Sequence, residues 1–222
     1  MVQSFSLVDA LSLGDLKVFL GRAARVGTGS VRVIGGLGVL AVYASVLAPK
    51  GLLDEAPTVL GLRTFALADK EIEFDEIVSI RALLDRLALL SVTVNGAVGP
   101  VEVVLPPAEG FMAWAGISPP RGGWKTLGVV DAAILEKSAE AGISEVAAAL
   151  PPDTGELIVH RVRSQVWGRA IPEIERRTAA GAAFAAVSLG FLRSDDPVAL
   201  YASGPWTRLT TRRGHILSLI HI

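Results

Sequence analysis

Residues 30–47 read Ser-Val-Arg-Val-Ile-Gly-Gly-Leu-Gly-Val-Leu-Ala-Val-Tyr-Ala-Ser-Val-Leu, and this stretch decides the fold. Apolar and β-branched residues fill 31–34 and 38–48 almost without interruption, with Gly35-Gly36-Leu37-Gly38 between them. Apolar runs this short, bounded by glycine, predict strands. Their near-continuous apolar character predicts central places in a sheet, where both faces are covered. A third strand is expected over 58–67, reached through the Pro49–Pro57 connection. The glycines invite a nucleotide-binding reading, but a dinucleotide fingerprint needs G-x-G-x-x-G between a strand and a helix. Here the glycines at 35, 36 and 38 join two strands, and those at 27 and 29 follow a helix, so they read as turn residues.

Upstream, Ser12 with Asp15 three positions on predicts a helix start, and Leu16, Phe19, Leu20 and Ala23 form its apolar stripe. Downstream, Asp69, Glu71, Glu73 and Asp75 alternate with other residues, which would put four carboxylates on one face of an extended segment. Such a row can hold a hard cation, but without a Gly-containing loop of metal-binding spacing it reads as a solvated edge. Helical spacing follows over 81–90. Asn95-Gly96 between Val92-Thr93-Val94 and 98–104 predicts a hairpin. Pro106-Pro107 and Pro119-Pro120 bracket an expected strand at 111–117.

The second half turns helical. Helices are expected at 131–141 and 144–150, separated by Gly142, then at 155–167 capped by Thr154, then over the Ala-rich 179–192. Strands at 198–202 and 206–211 follow, with a turn at Arg213-Gly214 and a return strand from His215. No internal repeat is visible. The pattern predicts an α+β fold: a mostly antiparallel sheet of four or more strands, covered by helices concentrated in the C-terminal half. One domain over 1–216 is expected, with two lobes, 1–105 and 126–216, joined by the Pro/Gly-rich segment 106–125. The last six residues, Leu-Ser-Leu-Ile-His-Ile at 217–222, spell the translation of a transposon mosaic-end adaptor used in sequencing libraries. That reading sets 217–222 apart from the domain and expects the chain to continue past Ile216.

Composition narrows the class. The 222 residues include no cysteine, which excludes a disulfide scaffold and thiolate metal sites. Mean hydropathy is +0.50, yet the longest uncharged runs, 33–49 and 178–192, fall short of the ~20 residues a spanning helix needs. Met1–Asp15 lacks a basic segment followed by an apolar run, so a cytoplasmic protein is expected. Net charge is −1, but residues 1–150 carry twelve basic and sixteen acidic side chains whereas 151–216 carry nine and six. This imbalance suggests a basic face and falls short of a nucleic-acid footprint.

Candidate chemistry lies in three Arg/Trp patches. On the helix ending at Trp167, Ile158, Val159, Val162 and Val166 form an apolar stripe, and His160, Arg163, Ser164 and Trp167 lie opposite with Arg161 beside them. Trp206, Arg208, Thr210 and Arg212 share one strand face, and the loop 118–124 carries Arg121 and Trp124. Arginine beside an aromatic ring suits anions or bases. Arg161, Arg163, Trp167, Trp206, Arg208 and Arg212 are expected to form one contiguous surface. His160 and His215 are the candidate proton-transfer groups. No H-E-x-x-H or G-x-S-x-G motif occurs, and the sequence calls for no metal and no cofactor.

Residues 63–69 (Arg-Thr-Phe-Ala-Leu-Ala-Asp), the loop 118–124 and residues 204–215 (Gly-Pro-Trp-Thr-Arg-Leu-Thr-Thr-Arg-Arg-Gly-His) resemble an uncharacterised family of high-GC actinobacterial proteins. The resemblance spans nearly the whole chain and assigns no activity and no functional residue. Three functions then fit the residues. The first is a soluble, non-catalytic binding or regulatory domain with a basic, aromatic face. The second is an enzyme acting on a small anionic substrate with Arg anchors and a His for proton transfer. The third is a structural subunit using its Trp and Arg residues as a protein interface.

Overall fold

A carboxylate starts the first helix. Asp9 sits in extended backbone and its side chain accepts from the Ser12 N–H at 2.7 Å, so α1 runs Ala10–Val26. Ser12, expected as the cap, is therefore inside the first turn. The computed structural model describes residues 3–51, 53–93, 99–151, 153–174 and 176–219.

Strand β1 (Ser4–Leu7) precedes α1, and β2 (Ser30–Gly36), β3 (Val39–Leu47) and β4 (Thr58–Ala66) follow it. The β2–β3 hairpin turns on Leu37 (φ 53°) and Gly38 (φ 76°). Two consecutive positive φ values make the tight turn whose twist matches the strands. Next come β5 (Phe74–Ser79), α2 (Ile80–Thr93) and β6 (Val101–Val104). The second half holds β7 (Lys125–Val130), α3 (Ala132–Ala149), α4 (Glu156–Trp167), α5 (Ala180–Ser188), β8 (Val198–Ser203), β9 (Trp206–Thr211) and β10 (Gly214–Leu219). Eight strands pair in the order β5-β2-β3-β4-β10-β9-β8-β7, and β1 pairs with β6 separately. The fold is α+β, with an antiparallel sheet and three of its five helices in the second half. The three strands expected to be central are central. The order β-α-β-β-β opens the chain and returns from β7 to β10 with two extra helices inserted, a recurrence of elements that the sequence does not display.

Several local expectations are corrected. Helix α2 continues to Thr93, so the first arm of the expected 92–104 hairpin is helical, and Asn95-Gly96 lies outside the described residues. The partner of β6 is β1 in register Ser4↔Val104, a non-local pairing that short-range turn signals cannot find. The expected strand at 111–117 holds a single 3-10 turn, Ala113–Ala115. Gly155, not Thr154, caps α4, because the Thr154 hydroxyl donates to the Pro151 carbonyl instead. The turn into β10 falls at Arg212-Arg213, where the Thr211 hydroxyl accepts from the Arg213 N–H; Gly214 opens the strand without a positive φ. Leu217–Leu219 complete β10 opposite Arg208, Thr207 and Trp206.

The backbone divides into two compact units, residues 1–45 with 62–116 and residues 46–61 with 117–222. In the first, Leu13, Leu16, Phe19, Leu20 and Ala23 of α1 are buried, as the stripe requires. Phe74 stacks on Phe5 with centroids 5.9 Å apart, and a Cβ at Gly35 would overlap its ring. Of the four expected carboxylates only Asp75 lies in β5, and it grips Arg32 of β2 through both oxygens at 2.7 and 2.6 Å.

In the second unit α5 is nearly all small residues, with Gly181, Ala182, Ala183, Ala185 and Ala186 buried. Side chains this short let neighbouring elements approach closely. The expected break at Gly142 is absent and α3 is one helix. The reason is packing: the Trp167 ring fills the space where a Cβ at 142 would sit. No helix among the described residues is long and apolar enough to cross a membrane. Of the two apolar runs tested, one forms β2 and β3 and the other contains α5.

Candidate functional site

Helix α4 shows its faces differently from the expected stripe. Ile158 is 58% exposed, whereas Val166 and Trp167 are 4% and 2% exposed. Trp167 stacks on Phe184 of α5 with ring centroids 4.4 Å apart. A ring placed there removes a large apolar area from water, an effect that outweighs the polar neighbours it has along the helix. Arg163 follows Trp167 inward. It donates to the Val46 carbonyl at 3.3 Å and lies over the Phe184 ring at 5.7 Å. Burial pulls its pKa below the ordinary guanidinium value. Arg161 stays exposed.

The outer side of α4 and residues 50–57 border an open cavity of about 1090 Å³, whose polar lining includes Lys50, Asp54, His160, Arg161, Ser164 and Arg169. The charges there are mostly tied up. His160 Nε2 meets Asp54 Oδ2 at 2.6 Å, Lys50 pairs with Glu156 at 2.5 Å, and Arg169 takes both oxygens of Glu145 at 2.7 Å. Burial works against ionisation of Asp54, but donors from the Lys50 N–H, His160 and the Ala56 N–H prevail and hold its pKa below the usual carboxylate value. The Ser164 hydroxyl also approaches His160 Nε2, at 3.4 Å. A Ser-His-Asp relay engages the two ring nitrogens separately, one with the acid and one with the hydroxyl. Here both neighbours share one nitrogen, which holds the ring in place and sets up no relay.

A second assembly lies on β9 and the loop before β7. The Arg208 guanidinium is 4.5 Å from the ring centroid of Trp124 and 4.5 Å from that of Tyr201. Tyr201 is directly opposite Arg208 in the β8–β9 register. Trp124 is held by its Nε1–H, which donates to the Pro120 carbonyl at 3.1 Å, so Pro119-Pro120 stiffens the loop that delivers the ring. Arg208 Nε is buried without a hydrogen-bond partner among the described residues. Partial burial lowers the Arg208 pKa, with the Tyr201 hydroxyl acting the other way. His215 is hydrogen-bonded through Nδ1 to the Thr210 hydroxyl at 3.0 Å. Its pKa is pushed down by burial first and by the Arg208 charge second.

The six residues expected to form one surface do not all reach it. Trp167 and Trp206 are buried and Arg163 is half-buried. Trp206 alternates onto the Arg208 face, and burial of its ring under neighbouring elements removes it from contact with a ligand. Arg212 is exposed, 3.8 Å from Asp196. The loop residue Trp124 and the β9 residue Arg208 do come together in the Trp124–Arg208 stack, and Arg121 is exposed three residues earlier in that loop. Tyr201 was missed; its signal was the alternation of β8, which puts it across from Arg208 once the hairpin register is set. Among the described residues no group of three His, Asp or Glu could hold a metal ion.

Comparison with solved structures places this fold beside bacterial DNA polymerase sliding clamps. The DNA polymerase sliding clamp from Caulobacter crescentus superposes with a TM-score of 0.51 at 12% identity, covering 98% of this chain and 65% of the clamp. Caulobacter crescentus pol III beta gives 0.50 at 11% identity, again over 98% of this chain and 65% of its own. The DNA polymerase III subunit beta from Pseudomonas aeruginosa gives 0.49 at 12% identity over 99% and 65%. The chain thus spans about two thirds of the length of the clamps it resembles, and at these identities the likeness is one of fold alone. No curated protein matches the sequence. Residues 119–220 match the family model described as domain of unknown function DUF8185. Residues 1–114 match the model of another such domain, and over that half the chain belongs to the family DUF8010.

Proposed function

We propose that this protein is a non-catalytic, cytoplasmic subunit that works by presenting surfaces to protein partners in an assembly. The observation that carries the reading is the fold. The DNA polymerase sliding clamp from Caulobacter crescentus shares it over 98% of this chain. Two features of the chain support it. Net charge is −1, which gives no long-range pull on a polyanion and so favours protein over nucleic acid as the partner. The paired contacts on one nitrogen of His160 suit an anchoring role better than proton transfer. Of the candidate surfaces, the Arg208 assembly is the one where aromatic rings and arginine sit together as protein interfaces favour.

The test is the state of the protein in solution. Sedimentation at micromolar concentration, alone and with a cell extract, should show a stoichiometric complex, of like or unlike chains, that crosslinking assigns to defined residues. A species that remains monomeric in both, or one that turns over a small anionic substrate, overturns the reading.

A further inference from the structure

We propose that the surface centred on Arg208, beside the rings of Trp124 and Tyr201, docks an acidic peptide segment of a partner protein. The inference rests on the protein-interaction reading above and specifies its partner's chemistry. It begins with charge. Residues 117–130 and 197–219 contain no Asp or Glu but hold Arg121, Lys125, Arg208, Arg212 and Arg213. These segments supply β7, β8, β9, β10 and the loop before β7, so four adjoining strands of the sheet are free of carboxylates. A partner bearing carboxylates complements them, and one bearing cations is repelled.

Geometry then selects Arg208. The two rings at 4.5 Å fix the plane of its guanidinium, so little side-chain entropy remains to be lost on binding. Its Nε is buried and unbonded, which leaves the two terminal nitrogens to donate. That edge is the half of the fork that accepts a carboxylate through two parallel hydrogen bonds. A partly buried cation with no acid beside it is also costly in isolation; a docked carboxylate supplies the missing counter-charge. Two rings already lie against the guanidinium at 4.5 Å, so it is engaged with aromatic partners before any ligand arrives. Arg121, exposed and three residues before Trp124 in the same loop, extends the positive rim, whereas Lys125, opposite Ala202, falls on the other face of the sheet.

The experiment is fluorescence anisotropy with a short fluorescein-labelled peptide of alternating Asp and Gly. Its Lys-for-Asp counterpart and an oligothymidylate of equal length serve as comparisons. At about 50 mM salt the acidic peptide should bind and the basic one should not, and affinity should fall as salt is raised. Trp124 fluorescence should change on binding. Arg208→Met should weaken binding about tenfold or more, the loss expected for one charge-assisted hydrogen bond. Arg208→Lys should recover only part of it. Arg121→Glu, on an exposed loop position, should weaken binding too, and provides the answer if Arg208→Met does not fold. Arg25→Glu on α1, which makes the same change of charge as Arg121→Glu elsewhere in the chain, should leave binding unaltered. The proposal fails if the acidic peptide does not bind, if Arg121→Glu binds it undiminished, or if oligothymidylate binds more tightly than the peptide. If a stoichiometric protein complex forms and these tests fail, the subunit reading stands and this surface is the wrong one.

Discussion

The ring of Trp167 occupies the place where a Cβ at Gly142 would be, so a helix α4 tryptophan and a helix α3 glycine form one packing unit. The unit is completed by Phe184, whose ring stacks on the indole, and by Gly181, where an added Cβ would touch the Trp167 backbone and Cβ. Two glycines in helices, each a local cost in helix propensity, thereby admit one large side chain to the core.

Gly142→Ala should therefore destabilise the protein. Helix propensity alone would favour alanine by about 1 kcal/mol. Overpacking against an indole that cannot move without disturbing Phe184 costs about 1–3 kcal/mol and should prevail. Urea denaturation of the two proteins checks the sign; a variant more stable than the parent would show that Trp167 is not seated as described.

Gly14→Ala is the contrasting case. Gly14 is on the exposed face of α1, its φ is helical, and nothing lies within 4 Å of an added Cβ. Alanine there should raise stability by about 0.5–1 kcal/mol, from propensity and from a less flexible unfolded chain. The midpoint of thermal unfolding should rise by a few degrees.

Stability should fall as the solution is acidified below neutrality, in part through His215. Burial and then the Arg208 charge hold its pKa in the folded protein below the ordinary 6.5. The unfolded chain thus binds the proton more readily, so stability is complete above the unfolded value and is lost as pH falls through 6.5 toward the folded value. His215→Gln, which can still face the Thr210 hydroxyl, should flatten the change in unfolding midpoint between about pH 7.5 and pH 6. An unchanged slope would contradict the burial of this ring.

Asp75→Asn tests the pairing of β5 with β2 at the sheet edge. Arg32 would lose a two-oxygen partner that raises its pKa through a side-chain hydrogen bond. Both side chains are partly solvated, 20% and 43% exposed, so the loss should be about 0.5–1 kcal/mol and should shrink at molar salt. A loss that does not respond to salt would mean that the pair acts by packing and not by charge.

What the sequence determined by itself is the local grammar. Residues 30–47 announce a hairpin because β-branched apolar runs on either side of a Leu-Gly turn have one compact solution. The apolar stripe of α1, the buried α5 and the strands at 198–203 and 206–211 follow from periodicity in the same way. The Arg121, Trp124 and Arg208 residues of the candidate surface were legible as residue types, because arginine beside an aromatic ring is visible along a chain. Tertiary structure alone decided the rest, and for a physical reason in each case. Non-local pairing made a strand of Ser4–Leu7, since four residues carry too little pattern without β6 to receive them. Close packing turned Gly142 from an expected break into a contact surface and drew Trp167 from the expected polar face into the core, because burying an indole outweighs helix periodicity. Register brought Tyr201 across from Arg208 and the loop laid Trp124 against the same guanidinium. Which of several arginines becomes a fixed, unpaired donor is set by what surrounds it in space, and spacing along the chain does not contain that information.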